Sequence, residues 1–144
     1  MTRVLPVFVY GTLLPGFLNY ERYVKPYPHT IQPATVQGCL YHLPAGYPGL
    51  VLSKTATVKG ALLFFAADRY EEAIAGMDEL EDYFGPDDPR NEYERELTTA
   101  VLPEGAGEVL SYHYRYSKES YAVKRGREVP AGDWRIFMQN RLRE

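Results

Sequence analysis

Glu81 falls on the apolar side of its own helix, and that placement constrains the fold more than any other feature of the sequence. The stretch from Asp68 reads as a helix running to about Phe84, with Asp68 as N-cap and Glu71 three residues on as its reciprocal partner. At about 100° per residue, Tyr70, Ala73, Ile74, Met77, Leu80 and Phe84 share one side, and Glu81 lies between Ile74 and Met77. Glu71, Glu72, Asp78, Glu79 and Asp82 point elsewhere. An ionised carboxylate costs several kcal/mol to bury unless something pairs with it. Glu81 is therefore either half of a structural contact, with Arg95 or a tyrosine, or a working acid/base.

A chain of 144 residues, 45% of them hydrophobic, fits one compact domain over residues 1–144, with neither a linker nor an internal repeat. The longest apolar runs, such as Gly60 to Ala67, are too short to span a bilayer, and Met1 to Pro6 lacks the apolar stretch of a secretion signal. A cytoplasmic location without membrane contact is expected. Cys39 is the only cysteine, which excludes an internal disulfide and reads as buried apolar filler. Twelve of the nineteen acidic residues lie between Asp68 and Glu96, and from Arg115 onward eight basic residues face four acidic ones. These are two solvated faces of opposite sign, not the basic footprint that nucleic acid requires. Thirteen tyrosines suggest a tyrosine-lined pocket.

Leu5 to Tyr10 reads as a short buried strand stopped by Gly11, followed by the tight loop Thr12 to Gly16 and a short helix from Phe17 to about Val24. Thr35 to Leu43 and Thr57 to Ala66 are β-rich, with the turn-heavy Pro44 to Gly49 leading into Leu50 to Leu52. Two prolines, a glycine and two aspartates within Phe84 to Arg90 make an exposed loop, a candidate lid. Glu94 to Leu102 and Glu108 to Tyr116 form a hairpin, and period-two alternation puts Leu110, Tyr112, Tyr114 and Tyr116 on one face. Asp133 caps a last helix with apolar positions at Trp134, Phe137, Met138 and Leu142, docked on the sheet. Mostly β segments with one substantial helix inserted favour an α+β domain, a small, strongly curved mixed sheet or barrel with a few helices.

Several chemistries can be set aside. Gly11 and Gly16 stand at phosphate-loop spacing, but Phe17 and Leu18 occupy the places where that chemistry needs Lys and Ser/Thr. His29, His42 and His113 have no acid or cysteine at ligand spacing, and no Gly-x-Ser-x-Gly elbow exists. What the loop after the first strand offers is a sharp turn with consecutive N–H groups beside the Thr12 hydroxyl, able to hold a carboxylate or an oxyanion. A plain turn accounts for the same residues.

Four stretches resemble one family, the γ-glutamyl cyclotransferase-like (AIG2-like) proteins. Phe8-Val9-Tyr10-Gly11-Thr12-Leu13 is similar to its Tyr-Gly-Ser/Thr-Leu signature, and Gly38 to Tyr41 with Tyr47 to Leu50 to its Gly-x-Leu-Tyr and Tyr-Pro-Ala/Gly-Leu pattern. Met77 to Glu81 followed by Tyr93-Glu94-Arg95 resembles its Leu-Asp-x-x-Glu and Tyr-x-Arg. Tyr114-Arg115-Tyr116 and Val129 to Trp134 resemble its closing strand and Ile-Pro-x-Gly-Asp-Trp.

The resemblance implies catalysis by Glu81, a substrate loop at Tyr10, Gly11, Thr12 and Leu13, and a pocket tyrosine at Tyr114. It implies a γ-glutamyl small molecule as substrate and no cofactor. The α-amine would attack its own γ-carbonyl, closing 5-oxoproline and expelling an amine or amino acid, with Glu81 as base and then acid. A non-catalytic binding or regulatory module using the same pocket is the alternative, and monomer and homodimer both stay open. The sequence departs from the pattern at Asp82, where a glycine commonly follows the glutamate, at Thr12 in place of serine, and in a longer Phe84 to Glu92 loop.

Overall fold

A closed five-stranded barrel is the centre of the fold in the computed structural model, which describes residues 4–142. Strands β1 (Val7–Val9), β2 (His29–Gln37), β5 (Thr57–Phe65), β6 (Tyr93–Val101) and β7 (Glu108–Tyr116) close it in the order β1-β5-β2-β6-β7. Its pairs are antiparallel except β1 on β7, a parallel seam at Val7 and Tyr112, so the sheet is mixed and curved as the β-rich segments implied. A second sheet places β3 (Cys39–His42) between β4 (Pro48–Val51) and β8 (Arg127–Glu128).

Alternation along β1 divides the core. Phe8 joins Leu62, Ala34, Val36, Val58, Ala100 and Trp134, while Val7 and Val9 face Leu63, Ile74, Met77 and Tyr114. The helices are α1 (Leu18–Tyr23), α2 (Tyr70–Leu80), α3 (Glu119–Arg125) and α4 (Trp134–Leu142). Among the described residues, no helix is long and apolar enough to cross a membrane. At the start of α4 the Ile136 N–H donates to the Asp133 carboxylate at 3.0 Å, and Trp134 is buried against His42 and Phe137. That cap and that docking were expected from sequence. The Leu142 side chain and Met1 to Arg3 lie outside the described residues.

Other expectations need correction. Asp68 does not cap α2: it sits inside a 3-10 turn, Ala67–Arg69, and Arg69 occupies the cap position, its side chain pairing with Glu72 and capping no backbone N–H. The helix ends at Leu80, not near Phe84. Glu81 is its C-cap residue and Asp82 takes a left-handed backbone with φ 53°. Tyr83 N–H donates to the Asp78 carbonyl at 2.9 Å and Asp82 N–H to the Glu79 carbonyl at 3.2 Å, which is the Schellman ending. Glycine is the usual residue at that left-handed position, and because aspartate fills it here the stop was not legible. Phe84 lies beyond the helix, 53% exposed under the Arg90 guanidinium.

The segment Thr35 to Leu43 is two strands in two sheets, broken at Gly38. β2 also begins earlier, at His29, and tolerates Pro33 because it meets β6 only at Thr35 and Val101, leaving that side of the strand nearly free. Tyr112, Tyr114 and Tyr116 do share a face of β7, but Leu110 at the far end of the row is exposed. Cys39 is half-buried.

Candidate active site

The end of β1, the end of α2 and the starts of β4 and β6 converge on a cavity of about 310 Å³. All six residues marked from sequence line it: Tyr10, Gly11, Thr12, Leu13, Glu81 and Tyr114. Sequence reasoning did not assign Asn19, Tyr47, Pro48, Glu92 and Tyr93 to the site, yet they line it too. Tyr47-Pro48 and Tyr93 were visible as motif members. That they belong to one wall follows only from the folding of β4 against β6 and β7.

The loop after β1 is shaped by contact. A Cβ on Gly11 would sit 2.3 Å from Pro48 Cγ, so only glycine lets the loop pass this close to the start of β4. Leu14 N–H returns to the Gly11 carbonyl at 3.0 Å, closing the turn, and Asn19 donates to the Thr12 hydroxyl at 2.8 Å. Among the described residues the N–H groups of Thr12 and Leu13 have no protein acceptor. They are donors beside a cavity, the arrangement that suits an anion.

Glu81 stands opposite in character. Its carboxylate has no hydrogen bond or ion pair among the described residues, and the surface it keeps faces the cavity. Burial, with the Asp82 and Glu92 carboxylates nearby, pushes its pKa up to about 8. Its position at the C-terminal end of a helix, where anions are disfavoured, acts in the same direction. The pairing of Glu81 with Arg95 does not form. Arg95 is taken by Asp78, whose other oxygen accepts from the Tyr114 hydroxyl at 2.6 Å. Asp78, which helical spacing put off the apolar side, is thus turned toward the sheet and paired through both oxygens. Burial raises its pKa, and Tyr114 and Arg95 pull it back down.

The tyrosines are held by their hydroxyls. Tyr10 donates to the Tyr114 carbonyl at 2.7 Å and accepts from Leu50 N–H at 3.3 Å. Tyr93 donates to the Pro48 carbonyl and Tyr47 to the Glu92 carboxylate, the latter at 2.8 Å. Loss of water drives the ionisation of Tyr10, Tyr93 and Tyr114 far upward, so all three stay neutral. Below them, the loop after Glu81 is braced by buried Asn91, which accepts from Phe84 N–H at 2.6 Å and donates to the Gly85 carbonyl at 2.7 Å. The histidines lie elsewhere: His29 bonds Tyr20 and the Tyr27 carbonyl, His42 stacks on Trp134, and His113 is buried within β7.

Residues 7–136 match the model of the family "Gamma-glutamyl cyclotransferase, AIG2-like". The chain is similar to the γ-L-glutamyl-butirosin B γ-glutamyl cyclotransferase of Niallia circulans, with 33% identity over 134 residues, 91% of this chain and 76% of that protein. Among solved structures it is similar to YkqA of Bacillus subtilis, with TM-score 0.65 and 15% identity over 97% of this chain, though it spans only 43% of YkqA. It is also similar to an AIG2-like protein of Mus musculus, with TM-score 0.63 and 20% identity over 81% of this chain and 79% of that one. At these identities the solved structures speak for the fold alone. The family model covers the barrel, the loop after β1 and the Glu81 turn together, and the chain belongs to the γ-glutamyl cyclotransferase, AIG2-like family.

Proposed function

We propose that this chain releases 5-oxoproline and an amine from a γ-glutamyl compound, with Glu81 as the proton carrier. Family membership marks it as an enzyme of γ-glutamyl cyclotransferase type. The Niallia circulans relative is named for a γ-glutamyl group removed from butirosin B. The observation that carries the reading is that the half-buried Glu81 carboxylate and the N–H groups of Thr12 and Leu13, all without protein partners among the described residues, belong to residues lining the same small cavity.

In this reading the γ-glutamyl group folds back on itself. The neutral α-amine attacks the γ-carbonyl carbon, the new C–N bond forms and the carbonyl oxygen takes up negative charge. Glu81 accepts a proton from the attacking nitrogen and returns it to the departing nitrogen as the old amide bond breaks. The ring closes, RNH₂ leaves and the carboxylate is regenerated; the balance needs no water. A pKa of about 8 suits both halves of that exchange, because the group can take a proton from an ammonium-like nitrogen and still give it up. The N–H groups of Thr12 and Leu13 hold the anionic oxygens, for which preorganised donors contribute on the order of 10²- to 10³-fold in rate. Tyr10, Tyr93 and Tyr114 wall the cavity with rings whose hydroxyls are already spent on the protein, which keeps it shaped.

The test is incubation with γ-glutamyl-amines and γ-glutamyl dipeptides, with mass detection of 5-oxoproline for wild type and Glu81→Gln. Wild type is expected to form 5-oxoproline and the variant to lose roughly 10²- to 10⁴-fold in kcat. Equal turnover by both would remove Glu81 from its role.

A further inference from the structure

The turn that carries Glu81 is held closed from outside its helix. Helical spacing lets α2 continue to Phe84, and in such a helix the Phe84 N–H would meet the Leu80 carbonyl. Instead it donates to the Asn91 side-chain oxygen at 2.6 Å. The next residue along the loop helps, since Glu92 N–H donates to the Asp82 carbonyl at 3.0 Å. Asp82 itself keeps a left-handed backbone, φ 53°, that aspartate adopts with a strain glycine is spared. A helix stopped without glycine needs support, and here two bonds across the loop add to the Schellman pair.

Asn91 is fixed on every side. It is 3% exposed and does not line the cavity. Its amide nitrogen donates to the Gly85 carbonyl at 2.7 Å and to the Glu94 carboxylate at 2.9 Å, so both amide hydrogens and the oxygen are engaged and the group can face only one way. Its backbone is tied as well: the N–H donates to the Asp88 carbonyl at 3.0 Å, and the carbonyl accepts from the Ser117 hydroxyl at 2.7 Å, which anchors the loop beside the end of β7.

We propose that Asn91 is a positioning residue for Glu81: by taking the Phe84 N–H it ends α2 at Leu80 and keeps the Glu81 carboxylate at the cavity. Its consequence for turnover rests on the cyclotransferase reading above, while its consequence for Glu81 can be measured without it. Once the Asn91 oxygen is removed, the Phe84 N–H returns to Leu80, Asp82 relaxes toward a helical backbone and water reaches the Glu81 carboxylate. The charged groups that bear on Glu81 are the Asp82 and Glu92 carboxylates, both carried by this turn and loop, and Tyr10, Tyr93 and Tyr114 beside it stay neutral. Opening the turn therefore hydrates Glu81 and parts it from both acids, and each change favours its ionised form.

The test is a double-mutant cycle of Asn91→Leu and Asp82→Gly. Leucine keeps the branched shape of asparagine without an acceptor, and glycine takes the left-handed backbone unaided, which writes the stop into the turn itself. Two readouts are followed: kcat and KM with γ-glutamyl-propylamide, and titration of the Glu81 carboxyl by carbon NMR. In the wild-type background Asn91→Leu should lower kcat by about tenfold or more, change KM by less than about threefold, and move the Glu81 titration down by about one pH unit or more. In the Asp82→Gly background the same substitution should change kcat by less than about twofold and barely move the titration. A residue that only stabilises the fold would lower the melting temperature alike in both backgrounds and move neither titration. Equal losses of kcat in the two backgrounds, or an unmoved Glu81 titration in Asn91→Leu, overturn the inference. Should Asn91→Leu alone not fold, a double variant that folds and matches Asp82→Gly in kcat supports it, and a double variant that does not fold overturns it. Absence of 5-oxoproline from wild type overturns the cyclotransferase reading alone, and the titrations then decide the role of Asn91.

Discussion

The wall of the barrel against α2 and the cavity beside it treat buried polar groups in opposite ways. At the wall, Asp78 meets both Arg95 and the Tyr114 hydroxyl. One turn later on the same stretch, Glu81 meets nothing. Two carboxylates three residues apart thus stand differently: the first ties helix to sheet, and the second is held in a setting that disfavours its charge until a proton or a ligand relieves it. The difference teaches that burial alone does not nominate an acid for function, and that burial without partners beside open space makes it a candidate.

The sharpest way to break the comparison is to remove each charge in turn. For Glu81→Gln the folded state no longer carries an unpaired carboxylate, so the variant should be more stable than wild type while losing activity. The sign follows from linkage. With the pKa raised from 4.5 to about 8, folding binds a proton across that interval, so wild-type stability is fully present below pH 4.5 and declines as pH rises through 8. The gain in the variant should be about 2–4 kcal/mol above pH 8 and absent below pH 4.5, read from urea midpoints at several pH values. A variant less stable than wild type at pH 8 would return Glu81 to a structural role.

Asp78→Asn should do the reverse, costing about 1–3 kcal/mol because it strands the Arg95 guanidinium and loosens Tyr114. Thermal melts check this, and a neutral result would mean the pair contributes nothing beyond what water supplies. A smaller effect belongs to His113, which lies in neither region. Burial, against an opposing pull from Glu96 and with help from Arg115, lowers its pKa from 6.5 to about 4. The unfolded chain takes up that proton first, so stability present above pH 6.5 is lost as pH falls through 4. The loss is about 2 kcal/mol by pH 5, and His113→Gln should flatten that slope in urea titrations.

Much of this was legible before the fold was known, for physical reasons that can be named. Glu81 betrayed itself because a helix has one period and a charge on its apolar side breaks it. The hairpin of β6 and β7 and the cap at Asp133 followed from alternation and from local hydrogen bonding. The end of α2 was missed because aspartate takes a left-handed backbone that glycine would have announced. Asp78 was placed off the apolar side and its partners were not foreseen, because spacing on a helix says nothing about a sheet arriving with an arginine. The start of β2 was hidden by Pro28 and Pro33, and α3 and β8 are too short and polar to carry a pattern. Tyr47, Glu92 and Tyr93 joined the site through tertiary pairing that no local signal encodes.

The barrel seams give the cavity a particular vulnerability. β6 and β7 pair with one another along their whole length, yet β6 joins β2 only at Thr35 and Val101, and β7 joins β1 only at Val7 and Tyr112. That two-stranded leaf, which carries Tyr93 and Tyr114, meets the rest of the barrel ladder through two thin seams and is otherwise tied by side chains: Asp78 to Arg95 and Tyr114, Tyr10 to the Tyr114 carbonyl and Tyr93 to the Pro48 carbonyl. Loss of those ties would unmake the site while leaving β1, β2 and β5 in register, so the pocket depends on side chains whose work the backbone ladder does not duplicate.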